Sequence, residues 1–289
     1  MANRYMAFDI ETIVDWELLY NSEHKFGEKT DTCIARVKNE LCNKQGLSEF
    51  SEPWIPERYH APVCVAFIGL DENGSYKTHK VIGDTHSGWV TREFWGLLQD
   101  LPADTLVSFN GKHYDIPVME LNGFRHGALM DRWFMLHAKY ASDNPRAKYN
   151  DNAHLDLYQL LKDGNNLGGT MDYWASLMGL PGKVCMSGAS VADEMKKGTE
   201  GLKMVMDYCM ADVLSTVGML IHILHCSGDL PVLRHPIKPY GPLIDGILAK
   251  IEPTGVEQGC IKVWAADYRA KVANSKTAEA LADDDYIPF

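Results

Sequence analysis

The chain is short of positive charge: 28 Lys and Arg stand against 39 Asp and Glu, a formal net charge of −11 over 289 residues. A broad basic footprint is the usual way to hold nucleic-acid phosphates, so the charge argues against tight, non-specific duplex binding. Transient binding of a strand is not, because divalent cations in a carboxylate site reverse the local sign. Paired cysteines are missing too. The seven cysteines (33, 42, 64, 185, 209, 226 and 260) are odd in number and scattered, with no CxxC pair. That argues against a zinc site and a disulfide framework and points to a reducing, cytoplasmic compartment. No internal repeat is visible, and no apolar run reads as long enough to span a bilayer, so no membrane is expected as a partner. The start of the chain lacks a signal-peptide pattern, since polar Asn3-Arg4 leads straight into a strand.

What is present suffices for one sizeable core, with 46% apolar residues. Arg4–Ile10 reads as a buried strand, followed by a mixed insertion over about 14–62 with one helix around Asp31–Cys42. Val63–Leu70 and Tyr76–Ile82 read as strands joined by the turn Asp71-Glu72-Asn73-Gly74. A helix over Thr91–Leu98, a short strand over Thr105–Phe109 and a helix from about Tyr114 follow. His154–Leu161 and Met171–Met178 read as short helices, and Glu200–Cys226 as the clearest long one. Pro231–Pro253, rich in Pro and Gly, is expected to wrap the surface. Val256–Val272 reads as a last helix carrying Trp264 and Tyr268, and residues 274–289 as a mobile acidic tail.

Three segments carry carboxylates in patterns suited to chemistry. In Phe8-Asp9-Ile10-Glu11-Thr12, strand alternation puts Asp9 and Glu11 on one face. Two adjacent carboxylates repel unless a cation lies between them, although an acidic strand end facing water fits the same residues. In Asn110-Gly111-Lys112-His113-Tyr114-Asp115, a strand ends, a turn follows and Asp115 begins a helix, where the macrodipole alone would favour it. In Tyr208-Cys209-Met210-Ala211-Asp212, the i, i+4 spacing puts Tyr208 and Asp212 on a partly apolar helix face. Taken together, four hard oxygen donors on three elements suit two divalent cations, Mg2+ or Mn2+, held roughly 3.5–4 Å apart for in-line displacement at a phosphate. The Tyr208 hydroxyl, with an ordinary pKa near 10, would orient water rather than deprotonate it.

These segments, in this order, resemble the DEDD superfamily of 3′–5′ exonucleases in its tyrosine variant. Phe8–Thr12 matches the first exonuclease motif of family B DNA polymerases; Asn110-x-x-x-Tyr114-Asp115 is similar to the second, and Tyr208-x-x-x-Asp212 to the third. The chain is too short for a polymerase and more closely resembles the stand-alone polymerase-B-like exonucleases. His154-Leu155-Asp156-Leu157 and Leu180-Pro181-Gly182-Lys183 share that group's character. The resemblance implies an α/β, ribonuclease-H-like fold: a mixed five-stranded sheet flanked by helices, here with an insertion after strand 1 and a C-terminal extension. It divides the chain into an exonuclease domain over 1–228, an extension over 229–273 and the tail. It further implies catalysis by Asp9, Glu11, Asp115, Tyr208 and Asp212, with the four acids as metal ligands. Asn110, Thr12, Lys112 and His113 are expected at the substrate, a single-stranded DNA 3′ end. The setting would be replication, repair or recombination, in a bacterium or under a phage genome. An exoribonuclease and a non-catalytic binding module on the same scaffold stand as alternatives. Trp16, Trp54 and Tyr59 are aromatics able to stack on bases, and His154 with Asp156 suits structural roles better than metal binding.

The last residues, Asp283-Asp284-Asp285-Tyr286-Ile287-Pro288-Phe289, resemble the C-terminal tip of bacterial single-stranded DNA-binding protein. The resemblance implies that Asp284, Asp285, Ile287, Pro288 and Phe289 dock on proteins that read that tip.

Overall fold

A computed structural model describes residues 3–48, 51–100, 103–135, 137, 139–140, 144–162, 168–230 and 241–284. Five strands form one mixed sheet in the order β3-β2-β1-β4-β5. β1 (Asn3–Val14) pairs antiparallel with β2 (His60–Leu70), which pairs antiparallel with β3 (Tyr76–Gly83). On its other edge β1 runs parallel to β4 (Ala103–Ser108), and β4 parallel to β5 (His154–Asp156). The expected α/β ribonuclease-H-like sheet is what forms.

β1 and β2 occupy the middle of the sheet, and every residue of β2 is buried, as a strand covered on both faces must be. Alternation along β1 sorts its side chains. Met6, Phe8 and Ile10 enter one apolar cluster with α3 (Ser87–Asp100) and α4 (Asp115–His126). Ala7 enters the other, larger cluster. Asp9 and Glu11, in phase with Ala7, therefore project toward that second side.

The second side is built on α8 (Thr199–Ser227), a 29-residue helix. Its length and mean hydropathy would let it cross a membrane, against the expectation that no apolar run is long enough; 78% of its most apolar window is buried, so it serves as a core helix. The short helices α5 (Leu157–Lys162), α6 (Met171–Leu177) and α7 (Val191–Met195) precede it. α9 (Gly241–Ile251) and α10 (Cys260–Asp284) follow. Asp207 on α8 accepts hydrogen bonds from the backbone N–H groups of Val256 (2.8 Å) and Ile261 (3.0 Å), and the Trp264 indole donates to Ser215 Oγ (2.8 Å). These bonds lock the C-terminal extension to the core.

Several elements differ from expectation. The insertion holds two helices, α1 (Trp16–Glu23) and α2 (Thr30–Gln45), rather than one. It has its own apolar cluster of Leu19, Cys33, Val37, Ile55 and Tyr59. The excursion begins and ends at neighbouring points: Val14 pairs with His60, and the Asp15 N–H donates to the Tyr59 carbonyl at 2.7 Å. His154–Asp156 is an edge strand, not a helix start, because it finds β4 as a partner 48 residues away. The segment expected to wrap the surface contains α9, whose Ile244, Ile247, Leu248 and Ile251 are buried. α10 runs on through Asp284, into the stretch read as a mobile tail; residues 285–289 lie outside the described residues.

Candidate active site

The acids of β1 stand where its regular pairing ends. Glu11 is opposite Cys64 but Thr12 is opposite Pro62, so β2 carries one extra residue, Val63, just past the acids. A bulge there fits Pro62, which has no N–H to give to the ladder, and bulges commonly re-aim side chains beside functional sites.

The second segment is held by a neighbour. Asn110 adopts the left-handed conformation (φ 68°), a region that Asn tolerates better than most residues. The Asp156 carboxylate on β5 accepts the N–H groups of Asn110 and Lys112, both at 2.9 Å, and those of Tyr158 (3.0 Å) and Gln159 (3.2 Å) at the start of α5. Gly111 is required by the close approach of the Ser108 side chain, which any Cβ would strike. Ser108 Oγ in turn lies 2.8 Å from His154 Nε2. Burial pushes the His154 imidazole down to about 3, with the Lys112 charge adding to the shift, so the ring is a neutral structural partner. This turn delivers Asp115 to the first position of α4, where its Oδ1 accepts the Ile10 N–H at 3.2 Å. Asp115 is thus tied to the strand residue between Asp9 and Glu11.

The third segment approaches from above the sheet. Tyr208 and Asp212, one turn apart on α8, are both buried. The intervening Cys209 donates its thiol to the Asp9 carbonyl at 3.3 Å. Ligand atoms of Asp9, Glu11 and Cys209 all lie within 4.8 Å of one another.

Lys183 completes the group and was not foreseen as a site residue. Its Nζ lies 2.8 Å from Asp212 Oδ2 and 3.0 Å from the Tyr208 hydroxyl. Its backbone N–H donates to the Asp172 carboxylate, and a Cβ on Gly182 would collide with that same carboxylate. The Leu180-Pro181-Gly182-Lys183 stretch was visible as a family feature, but its convergence with α8 depends on a contact 29 residues distant.

The electrostatics are those of negative charges crowded out of water. Burial, then the charges of Asp115 and Asp212, raises the Asp9 carboxyl well above its ordinary value. Burial, then Asp9, does the same to Glu11. Burial pushes Asp115 up to about 7, although its backbone hydrogen bonds pull the other way. Burial also raises Asp212, against the opposing charge and hydrogen bond of Lys183. For Lys183, burial disfavours the ammonium, but Asp212 and Asp9 outweigh it and raise the group further, so it stays charged. Burial, then the Asp212 charge, raises the Tyr208 phenol, which stays protonated at neutral pH.

Such a donor set fits hard divalent cations. Asp212 Oδ1 is buried with no hydrogen-bond partner among the described residues, a costly state that a bound cation would relieve. The Cys209 thiol is raised by burial and so is a poor thiolate ligand. That leaves carboxylate oxygens, which suit Mg2+ or Mn2+ rather than zinc.

The expected substrate contacts are unequally placed. Thr12 Oγ1 lies 2.6 Å from the Tyr114 hydroxyl and 2.9 Å from His60 Nδ1, beside the acids. Asn110 and Lys112 share the Asp156-held turn, but the Lys112 ammonium is paired with Asp151 at 2.7 Å. His113 is exposed and, with Lys112, Arg146 and Lys148, lines a cavity of about 230 Å³. Trp16 and Trp54 are exposed, whereas Tyr59 is buried in the insertion's cluster. Of the expected partner-docking residues, Asp284 ends α10, and Asp285, Ile287, Pro288 and Phe289 fall outside the described residues.

The family described as a predicted 3′–5′ exonuclease related to the exonuclease domain of PolB matches residues 52–236. That range holds Asp115, Lys183, Tyr208 and Asp212 and begins after Asp9 and Glu11. No curated protein matches the chain. Among solved structures, the family B DNA polymerase from the hyperthermophilic archaeon Pyrobaculum calidifontis is similar in fold, with a TM-score of 0.50 and 18% identity. The match covers 78% of this chain and 25% of the polymerase, so the likeness is to about a quarter of that protein.

Proposed function

The chain belongs to the family of predicted 3′–5′ exonucleases related to the exonuclease domain of PolB, and we propose that it removes nucleotides from single-stranded DNA 3′ ends with two divalent cations, Mg2+ or Mn2+. The observation that carries this reading is the gathering of Glu11, Asp115 and Asp212, all buried, with the half-buried Asp9, from three separate elements into one mutually repelling group. Acids arranged at such cost need a cation to be stable together.

Asp9, Glu11, Asp115 and Asp212 would hold the ions. When bound, two such ions activate a water and neutralise charge building on the phosphate during in-line displacement. Tyr208, kept protonated, donates a hydrogen bond that orients the attacking water or a phosphate oxygen. Lys183 stays charged and offers its ammonium to the anion that develops at the phosphate. Thr12 and Asn110 position the strand end. Asp156, through the backbone of the turn that carries Asn110, sets where Asp115 stands. The thiols suit a reducing cytoplasm, and the tip with Asp284, Asp285, Ile287, Pro288 and Phe289 would recruit replication or repair proteins that read such ends.

A 5′-labelled single-stranded oligonucleotide incubated with Mn2+ or Mg2+ tests the reading. A ladder shortening from the 3′ end is expected, absent with Asp9→Ala and with Asp212→Ala. A folded wild-type protein that leaves the strand intact with either metal overturns it.

A further inference from the structure

Beside the acids a continuous aromatic ledge runs out to solvent. It starts with Thr12 and Tyr114, the neighbours in sequence of Glu11 and Asp115, whose hydroxyls meet at 2.6 Å. Both approach His60 Nδ1 at 2.9 Å, while His60 Nε2 faces the Ile55 carbonyl at 3.0 Å. A ring nitrogen facing a carbonyl carries the proton, and burial lowers the His60 imidazole from its ordinary value, which favours the neutral ring with Nδ1 as the acceptor. Trp54 stacks on that ring, with centroids 5.4 Å apart and planes 28° apart, and leans on Tyr114 at 5.8 Å.

Trp54 is nevertheless 55% exposed. A large apolar side chain left in water is ordinarily free to turn, and this one is held by its stack on His60 and by its indole N–H, which reaches Glu57 Oε1 at 3.4 Å. The Gln45 side-chain amide clamps its backbone from both sides: Trp54 N–H donates to Gln45 Oε1 at 2.9 Å, and Gln45 Nε2 donates to the Trp54 carbonyl at 2.8 Å. Gln45 ends α2 and Trp54 follows in the same insertion, so α2 anchors the segment that presents the indole beside the acids. A fixed aromatic face loses little entropy on meeting a flat ligand.

We infer that Trp54 is a base-stacking platform: its indole face takes an unpaired nucleobase of the strand whose 3′ end lies at the acids. The inference rests on the exonuclease reading of the acid group. Stacking of this kind is indifferent to base identity, because every base has a π face. It is closed to paired bases, whose faces are buried in the duplex stack. Trp54 therefore favours single strands over blunt duplex ends.

The test measures binding of a 5′-fluorescein-labelled oligothymidylate by anisotropy, with Mn2+, in an Asp212→Asn background that halts turnover. Trp54→Ala is expected to weaken binding by about 5- to 100-fold, with Trp54→Phe recovering much of the loss. An oligonucleotide abasic near its 3′ end should bind the parent weakly and be insensitive to Trp54→Ala. Phe26→Ala, at a fully exposed aromatic on the far part of the insertion, should bind as the parent does. Equal binding by the Trp54→Ala and parent proteins overturns the platform and leaves the exonuclease reading intact. Failure of the wild-type protein to shorten a strand overturns the exonuclease reading, while the anisotropy difference still decides the role of Trp54.

Discussion

Lys183 Nζ sits 2.8 Å from Asp212 Oδ2, a cation already inside the group of acids that would hold metal. It neutralises one carboxylate and competes with a divalent ion for the same negative field. Removing it has two opposite consequences. Lys183→Met should bind Mn2+ roughly tenfold more tightly, since a unit charge a few ångströms away contributes a few kcal/mol before screening. The same variant should turn over substrate more slowly and melt at a lower temperature in chelator, because Asp212 is then buried without a partner. Calorimetric Mn2+ titration reads the first effect; weaker Mn2+ binding in the variant would contradict the competition.

Stability should depend on pH in the sense opposite to ordinary acid denaturation. A carboxyl whose folded pKa is raised binds its proton more tightly folded than unfolded. Its contribution is therefore full below the unfolded value, about 4, and is lost as pH rises through the folded one. Asp115 is pushed up to about 7, and Asp9, Glu11 and Asp212 are raised with it. In chelator, Tm should fall between pH 5.5 and pH 8. With saturating Mn2+ the slope should flatten or reverse, because the ion binds the deprotonated acids. Thermal melts across that window, with and without metal, check both slopes.

Chemistry and stability should separate at Asp115. An Asn there still offers Oδ1 to the Ile10 N–H but carries no charge among the other acids. Asp115→Asn is expected to melt higher than wild type in chelator, by about 2–4 °C for each kcal/mol of repulsion removed. Its turnover should drop by more than the roughly 10–100-fold that loss of an outer supporting group costs. A lower Tm in chelator would mean that the charge at Asp115 stabilises the fold.

Asp156 is expected to act without touching the phosphate. Its Oδ1 accepts from Asn110, Tyr158 and Gln159, and its Oδ2 from Lys112. Asp156→Ala strands those donors and should cost about 2–4 kcal/mol. Asp156→Asn keeps one acceptor oxygen for three of the four and should cost clearly less. Denaturant melts order the variants; equal losses would rule out the hydrogen-bond account.

The parts of this molecule that could be read in advance are those whose signal is local. Asp9 and Glu11 lie in phase on a strand, Tyr208 and Asp212 lie a turn apart on a helix, and short-range periodicity reports both. His154–Asp156 reads as a helix start because Leu155, Leu157, Leu160 and Leu161 supply a helix-like pattern around it, while its true partner is 48 residues upstream. α1 was missed because its eight residues bury only Leu19, too little apolar face to register. Lys183 lies in a stretch with the family's character, but its place at the acids is not legible there, since a lysine after Pro-Gly is ordinary at a surface. Only the packing of its loop against α8 turns it inward.

The excursion between Val14 and His60 closes on itself, with adjoining ends and an apolar interior of its own. A segment built this way can lengthen, shorten or be exchanged between relatives without repacking the sheet that carries the acids. Inheritance can then act on the two parts separately. The sheet and α8 can hold the acids in place while the excursion varies what stands beside them.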